Sequence, residues 1–250
     1  MTPREVTAGL RLPHLDPRAR WAVCVRDTRT GATLLAHREH EVHRTASIGK
    51  LLLLEQVAAG LADGTLDAAE QLDRRDVAPV ADSGLWQHLD VDMLPLHDVA
   101  VLVASVSDNL ATNVLVHRLG LPAPHGSVAL HDVVRDRRGP EHPPTLSTGT
   151  AAGLVDLVSD LNPLVRRWLR TGTDLSMVAS AFALDPLAHA DADLLNKTGT
   201  DSTVRADVGL VGPVAYAVLA EWDPPDDVHH EVLDAMRAIG EQIRDRLRGW

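Results

Sequence analysis

Two short apolar runs open the readable pattern. Residues 20–26 (RWAVCVR) and 32–37 (ATLLAH) predict two strands, with Thr30 and Gly31 in the turn between them. From Ser47 the period becomes helical. SIGKLLLLEQVAAGLADG opens on a possible serine cap and stops near Gly60 or Gly64. Residues 99–106 are apolar on every side, which suits a fully buried helix and is too short to span a bilayer. DNLATNVLVHRLG predicts a further helix ending at Gly120. Residues 121–146 are rich in Pro, Gly and charge and read mostly as loop. Helical patterns return at AAGLVDLVSDL, around LVRRWLR and at LSMVASAFAL. The period then shortens to that of strands in DLLNKTG, RADVGLVG and PVAYAVLAEW. Val232, Met236, Ile239, Ile243 and Leu247 share one face of a terminal amphipathic helix.

The order is strands, a long helical insert, strands, then a helix. It predicts an α+β fold in which an antiparallel sheet is built from both chain ends. Residues 1–250 form one unit, with an αβ part over about 1–46 and 188–250 and a helical part over about 47–187. The junction between the two parts is a natural place for a site.

Charge narrows the partners. The net charge of −11 argues against nucleic acid and against a polybasic membrane contact. The single cysteine, Cys24, cannot form an internal disulfide and is expected to fill core space. The N-terminal MTPREVTAGLRLPHLDPRAR holds no apolar run of signal-peptide length. The expectation is a cytoplasmic protein, or a secreted one if a leader has been removed. Thirteen histidines show no metal-ligand spacing, so no metal or cofactor is assigned.

Lysine usage changes the picture. The chain has 22 arginines and two lysines, Lys50 and Lys197, and both lysines lie in short motifs. Ser47-Ile48-Gly49-Lys50 is S-x-x-K at a helix start, Ser107-Asp108-Asn109 lies between two helices, and Lys197-Thr198-Gly199 ends a strand. Capping is the alternative role for Ser47, Ser107 and Asp108. Residues three apart on a helix share a face, so Lys50 is expected beside Ser47. A serine hydroxyl becomes a good nucleophile only when a base takes its proton, and lysine is that base only with a lowered pKa. Arginine does not deprotonate in proteins and could not replace Lys50 in this role.

The motif trio resembles that of the class A β-lactamases and penicillin-binding proteins, and the resemblance runs from about Trp21 to the terminal helix. It implies a β-lactamase/transpeptidase-like αβα sandwich with an all-helical region, and an acyl-enzyme on Ser47. Lys50 would be the base, Ser107 a proton relay to the leaving nitrogen, and Lys197 a fixed charge that orients Ser107 and a substrate carboxylate. Asn109 would bind the acyl amide. The backbone N–H groups of Ser47 and Thr200, directly after Gly199, would form the oxyanion hole. Thr198 and Arg205 would hold an anionic group of a small-molecule substrate, and Trp86 would stand at the cleft mouth, with core packing as its alternative.

One element of the pattern is missing. Class A enzymes carry a loop glutamate, followed closely by Leu-Asn, that activates the deacylating water. Between Gly120 and Ala151 the only glutamate is Glu141, in RRGPEHPPT, and it sits late in the loop; Asp132 and Asp136 are the other carboxylates there. Glu141 is the candidate, with a solvated loop charge as its other reading. Three functions follow: a β-lactamase-like serine hydrolase, an esterase or D,D-peptidase-like acyl-enzyme former with weak β-lactamase activity, and a non-catalytic ligand-binding protein on the same fold.

Overall fold

The computed structural model describes residues 9–187 and 193–248; residues 1–8, 188–192 and 249–250, which include the expected start of the second αβ segment, lie outside the described residues. In chain order the elements are β1 (Ala19–Asp27), β2 (Thr33–His37), β3 (His43–Arg44), α1 (Lys50–Asp63), β4 (Gln71–Asp73), β5 (Met93–Pro95), α2 (Leu96–Val106), α3 (Asn109–Leu119), β6 (Ala129–Leu130), β7 (Ser147–Gly149), α4 (Ala151–Ser159), α5 (Pro163–Leu169), β8 (Leu194–Asp201), β9 (Val204–Val211), β10 (Val214–Trp222) and α6 (His229–Arg248).

The main sheet has the order β2-β1-β10-β9-β8, and every neighbouring pair is antiparallel. The chain ends therefore meet at the β1–β10 pairing, where Val23 stands opposite Val218. The α+β fold with a sheet assembled from both ends is what the pattern predicts.

Strand alternation sorts the sheet into two buried faces. Ala22, Cys24, Ala206, Val208, Ala215, Ala217 and Leu219 face the helical part, where they join Leu51, Leu54, Val103, Leu115 and Leu154 in one core. Trp21, Val23, Val25, Tyr216 and Val218 face the other way, into a second core. There they meet Val232, Met236, Ile239 and Ile243 of α6, as the terminal amphipathic pattern predicts. Cys24 is buried in the first core, and burial pushes its thiol up to about 11.

Two expectations need correction. LSMVASAFAL does not form an α-helix: residues 178–182 make a short 3₁₀ turn under α6. Its carbonyl at Val178 lies 2.2 Å from where a Cβ on Gly240 would stand, so close packing on α6 takes precedence over helical propensity. In α2, Val101 and Leu102 are only partly buried, so residues 99–106 are not enclosed all round. No helix among the described residues is long and apolar enough to cross a membrane.

Candidate active site

Ser47 sits in a 3₁₀ turn, residues 46–49, that runs directly into α1. The Lys50 N–H bonds the Ser47 carbonyl, closing the turn. In 3₁₀ geometry residues i and i+3 eclipse, so the S-x-x-K spacing aligns the two side chains. Ser47 makes no capping bond, and Ala46 before it adopts φ 46°, a left-handed conformation that costs energy for a residue with a Cβ. The turn is tied down by Ser147 of β7, which the sequence reading missed. Ser147 Oγ donates to the Ala46 carbonyl at 2.5 Å, accepts from Gly49 N at 3.3 Å and pairs with Thr45 Oγ1 at 2.7 Å. A lone serine at the end of a Pro-rich loop carries no local signal of this role.

Ser107 ends α2 in the left-handed conformation, φ 55° and ψ 35°. Asp108 caps α3 through Ala111 N at 2.9 Å, and its other oxygen accepts from Leu85 N and Trp86 N at 2.7 and 2.8 Å. The buried carboxylate thus holds both the S-D-N turn and the segment before it.

Lys50 is wholly buried. Its Nζ lies 2.6 Å from the Ser107 carbonyl, 2.8 Å from Asn109 Oδ1 and 3.3 Å from Ser107 Oγ. Burial, with the Lys197 charge adding to it, drives its pKa well below the usual lysine value; Asp108 opposes this more weakly. A neutral amine has two N–H donors and one lone pair. The carbonyl and the amide oxygen account for the two donors, which leaves the lone pair unused. No hydrogen bond joins Lys50 Nζ to Ser47 Oγ, contrary to what the spacing alone suggests: the amine turns toward Ser107 and Asn109, where acceptors satisfy it. Asn109 in turn donates from Nδ2 to the Ala81 carbonyl at 3.0 Å.

Lys197 comes in on β8. Its Nζ donates to Ser107 Oγ at 2.9 Å and to the Thr198 carbonyl at 2.8 Å. Burial lowers its pKa to about 8, while Asp174 and Asp207 push it back up. Ser107 Oγ therefore lies between the two amines.

Gly199 explains how β8 reaches the turn that carries Ser47. A Cβ there would lie 2.2 Å from the Thr45 carbonyl oxygen and 3.1 Å from Ile48 Cγ1. Only glycine permits this approach, which sets the backbone of Thr200 beside Ser47. Gly199→Ala is expected to cost about 1–3 kcal/mol of stability. Thermal unfolding checks it: Tm should fall by roughly 2–10 °C, and an unchanged Tm would show that β8 is not pressed against the turn.

Ser47, Ser107, Lys197, Thr198 and Thr200 line one cleft of about 230 Å³, together with Thr173, Asp174 and Asn196. Asp174 is a carboxylate the sequence reading did not single out. Lys50, Asn109 and Gly199 adjoin lining residues without lining the cleft themselves, and three further expected residues do not line it either. Trp86 is fully buried in the helical core and donates from Nε1 to the Val91 carbonyl at 3.0 Å. Its backbone N–H is held by Asp108, which pulls the ring inward, so it packs the core and does not stand at the mouth. Glu141 is exposed, pairs with His142 at 3.1 Å and does not line the cleft. Its solvent-facing loop tip is anchored only by local contacts, so nothing turns the carboxylate inward. Arg205 stands opposite Thr200 on β9 but does not line the cleft. It donates to the Asp201 and Val204 carbonyls at 2.6 and 2.7 Å, contacts His229 Nδ1 at 3.1 Å and lies over the Trp222 ring.

The model of the beta-lactamase enzyme family matches residues 15–247. The chain belongs to that family. The fold agrees with solved structures of the family and its relatives. A beta-lactamase from Sphaerobacter thermophilus is 21% identical, with a TM-score of 0.75 over 93% of each chain. PBP-A is 18% identical, with a TM-score of 0.73 over 94% of this chain and 92% of its own. A beta lactamase from Xanthomonas campestris is 19% identical, with a TM-score of 0.73 over 92% of each chain. A further match is a mutant of PBP-A in acyl-enzyme complex with penicillin-G. Among curated proteins, none shows significant similarity to the chain.

Proposed function

We propose that this β-lactamase-family protein is a serine hydrolase that takes the acyl group of a β-lactam, or of a related activated amide or ester, onto Ser47 and releases it slowly. The observation that carries the reading is Lys50: a buried amine with a lowered pKa, both donors matched and a lone pair unspent, 3.3 Å from Ser107 Oγ and one helical turn from Ser47. In the proposed step Ser47 Oγ attacks the carbonyl carbon and its proton passes to Lys50 Nζ. The bond to the leaving group then breaks as Ser107 Oγ–H protonates the leaving atom and Lys50 returns its proton to Ser107. Lys197 lowers the cost of charge on Ser107 during the transfer, and the N–H groups of Ser47 and Thr200 stabilise the oxyanion. The absent Ser47–Lys50 hydrogen bond is compatible with this, because catalytic hydrogen bonds commonly tighten only with substrate bound.

Slow release is supported by the loop. Asp132 is engaged by Arg135 and Arg138, Asp136 accepts from Ala81 N at 2.8 Å, and neither lines the cleft. With Glu141 also outside it, no carboxylate of this loop lines the cleft. This same observation favours a second reading, an esterase or D,D-peptidase-like acyl-enzyme former with weak β-lactamase activity. PBP-A, of the same fold, supports acylation by penicillin as a reference chemistry. Intact-mass spectrometry after exposure to a reactive cephalosporin tests the proposal. One adduct per chain, absent in Ser47→Ala, is expected; no adduct on the folded wild-type protein would overturn it.

A further inference from the structure

Lys197 is a buried cation whose hydrogen-bond partners are neutral. Its Nζ bonds Ser107 Oγ and the Thr198 carbonyl and, among the described residues, no carboxylate. A buried ammonium without a counter-charge gives up its proton readily. Two carboxylates act on it from beyond hydrogen-bond reach, Asp174 and Asp207. Asp174 is exposed in the cleft wall, where water and salt weaken its field. Asp207 is wholly buried and takes no part in the steps given above.

The register places Asp207 beside Lys197. Val208 of β9 stands opposite Lys197, and Asp207 stands opposite Thr198. Alternation turns Ala206 and Val208 toward the helical part and Asp207 to the far face of the sheet, where it meets Tyr216. Three elements hold its carboxylate there. Oδ1 accepts from Asn196 Nδ2 of β8 at 3.1 Å and from the Tyr216 hydroxyl of β10 at 3.4 Å, and Oδ2 accepts from Ala179 N of the 3₁₀ turn at 3.3 Å. Asn196 Nδ2 also donates to the Asp174 carbonyl at 3.1 Å, so the same cluster reaches the cleft wall. Burial raises the Asp207 pKa to about 7 against the bond from Asn196; the Asp174 charge adds to the rise, and the Ala179 N–H opposes it. Tyr216 stays a neutral donor, because burial and the Asp207 charge push its phenol well up. Asp207 therefore ionises before Lys197, at about 8, loses its proton, and between those values the two carry opposite charges.

We propose that Asp207 is a positioning residue of this site: a buried counter-charge that acts on Lys197 through the sheet and keeps it the positive donor to Ser107. Its part in catalysis rests on the acyl-enzyme reading and deepens it.

The two-lysine composition makes the test direct. Protein labelled with ¹³C at lysine Cε gives one signal for each lysine, and Lys197→Arg shows which is which. The Lys197 signal is followed across pH in wild type, Asp207→Asn and Tyr216→Phe, and the pH dependence of acylation by a reactive cephalosporin is recorded alongside. In wild type the midpoint should lie near 8, with an earlier inflection near 7 as Asp207 ionises. Asp207→Asn should abolish the earlier inflection and lower the midpoint by roughly 0.5–1 pH unit. The alkaline limb of acylation should move down with it. Tyr216→Phe disturbs the same cluster but keeps the charge, so its midpoint should stay near the wild-type value. A folded Asp207→Asn with an unmoved midpoint overturns the proposal, as does a midpoint that moves without the alkaline limb. A wild-type signal lacking the inflection near 7 overturns it too, whether or not the variant folds. Failure of the wild type to label Ser47, with the midpoint shift intact, overturns the acyl-enzyme reading and leaves Asp207 as the counter-charge of Lys197.

Discussion

Lys50→Arg is expected to reduce acylation of Ser47 by about a thousandfold or more, the scale of a lost general base, whereas Lys197→Arg should retain a measurable fraction. The two positions look alike in sequence and do different work in the structure. Lys50 has no carboxylate bonded to it, is wholly buried and is pushed toward the neutral form by burial and by Lys197. What it offers is a lone pair, and a guanidinium has none to offer. Lys197 lies near Asp174 and Asp207, and donates to Ser107 Oγ. What it offers is a positive donor, which arginine also supplies, with poorer fit.

The pH profile separates them further. Lys197 has a pKa lowered to about 8. It is charged below that value and loses its charge as pH rises through it, so the wild-type acylation rate should fall above about pH 8. In Lys197→Arg this alkaline limb should vanish, because the guanidinium stays protonated. The acid limb, set by protonation of Lys50, should persist in that variant. Stopped-flow acylation across pH reads both limbs. Equal tolerance of the two substitutions, or an alkaline limb unchanged in Lys197→Arg, would contradict the assigned roles.

The second large effect is on the lifetime of the acyl-enzyme. Acylation should run ahead of release by at least about a hundredfold, since a missing general base costs that much or more. A cephalosporin should then give a burst of one equivalent followed by slow turnover, with the adduct visible by mass for minutes. Glu141→Gln should leave this lifetime unchanged, because Glu141 is exposed and paired with His142 away from the cleft. Rapid steady turnover with no accumulating adduct would defeat the idea. So would a lifetime that Glu141→Gln lengthens, since that would place the carboxylate on the reaction path.

Much of the fold was legible because its signals are local. Continuous apolar runs in RWAVCVRD and PVAYAVLAEW mark these strands, and both are buried on two faces as paired neighbours β1 and β10. The 4-3-4-4 spacing of apolar residues marks α6. The short strands β3, β4, β5, β6 and β7 left no such trace. Two or three residues cannot show a period, and their pairing depends on partners far along the chain. The site divides in the same way. Ser47 with Lys50, and Lys197 with Thr198 and Gly199, are short-range patterns. Trp86 and Arg205 follow from the resemblance and Glu141 from being the only glutamate of its loop, and position along a chain does not say which way a side chain points.

By itself, then, the sequence determined the α+β order of elements and the short motifs that carry the two lysines, Ser47, Ser107 and Thr198. It could do so because helical and strand periods, and a three-residue spacing, are properties of neighbouring residues. Only the tertiary structure decided the rest: that Lys50 turns to Ser107 and Asn109, that Ser147 ties down the turn carrying Ser47, that the loop carboxylates stay outside the cleft and that Asp174 lines it. Each of these is a contact between segments tens of residues apart, and its direction is set by burial and hydrogen-bond satisfaction across the packed elements.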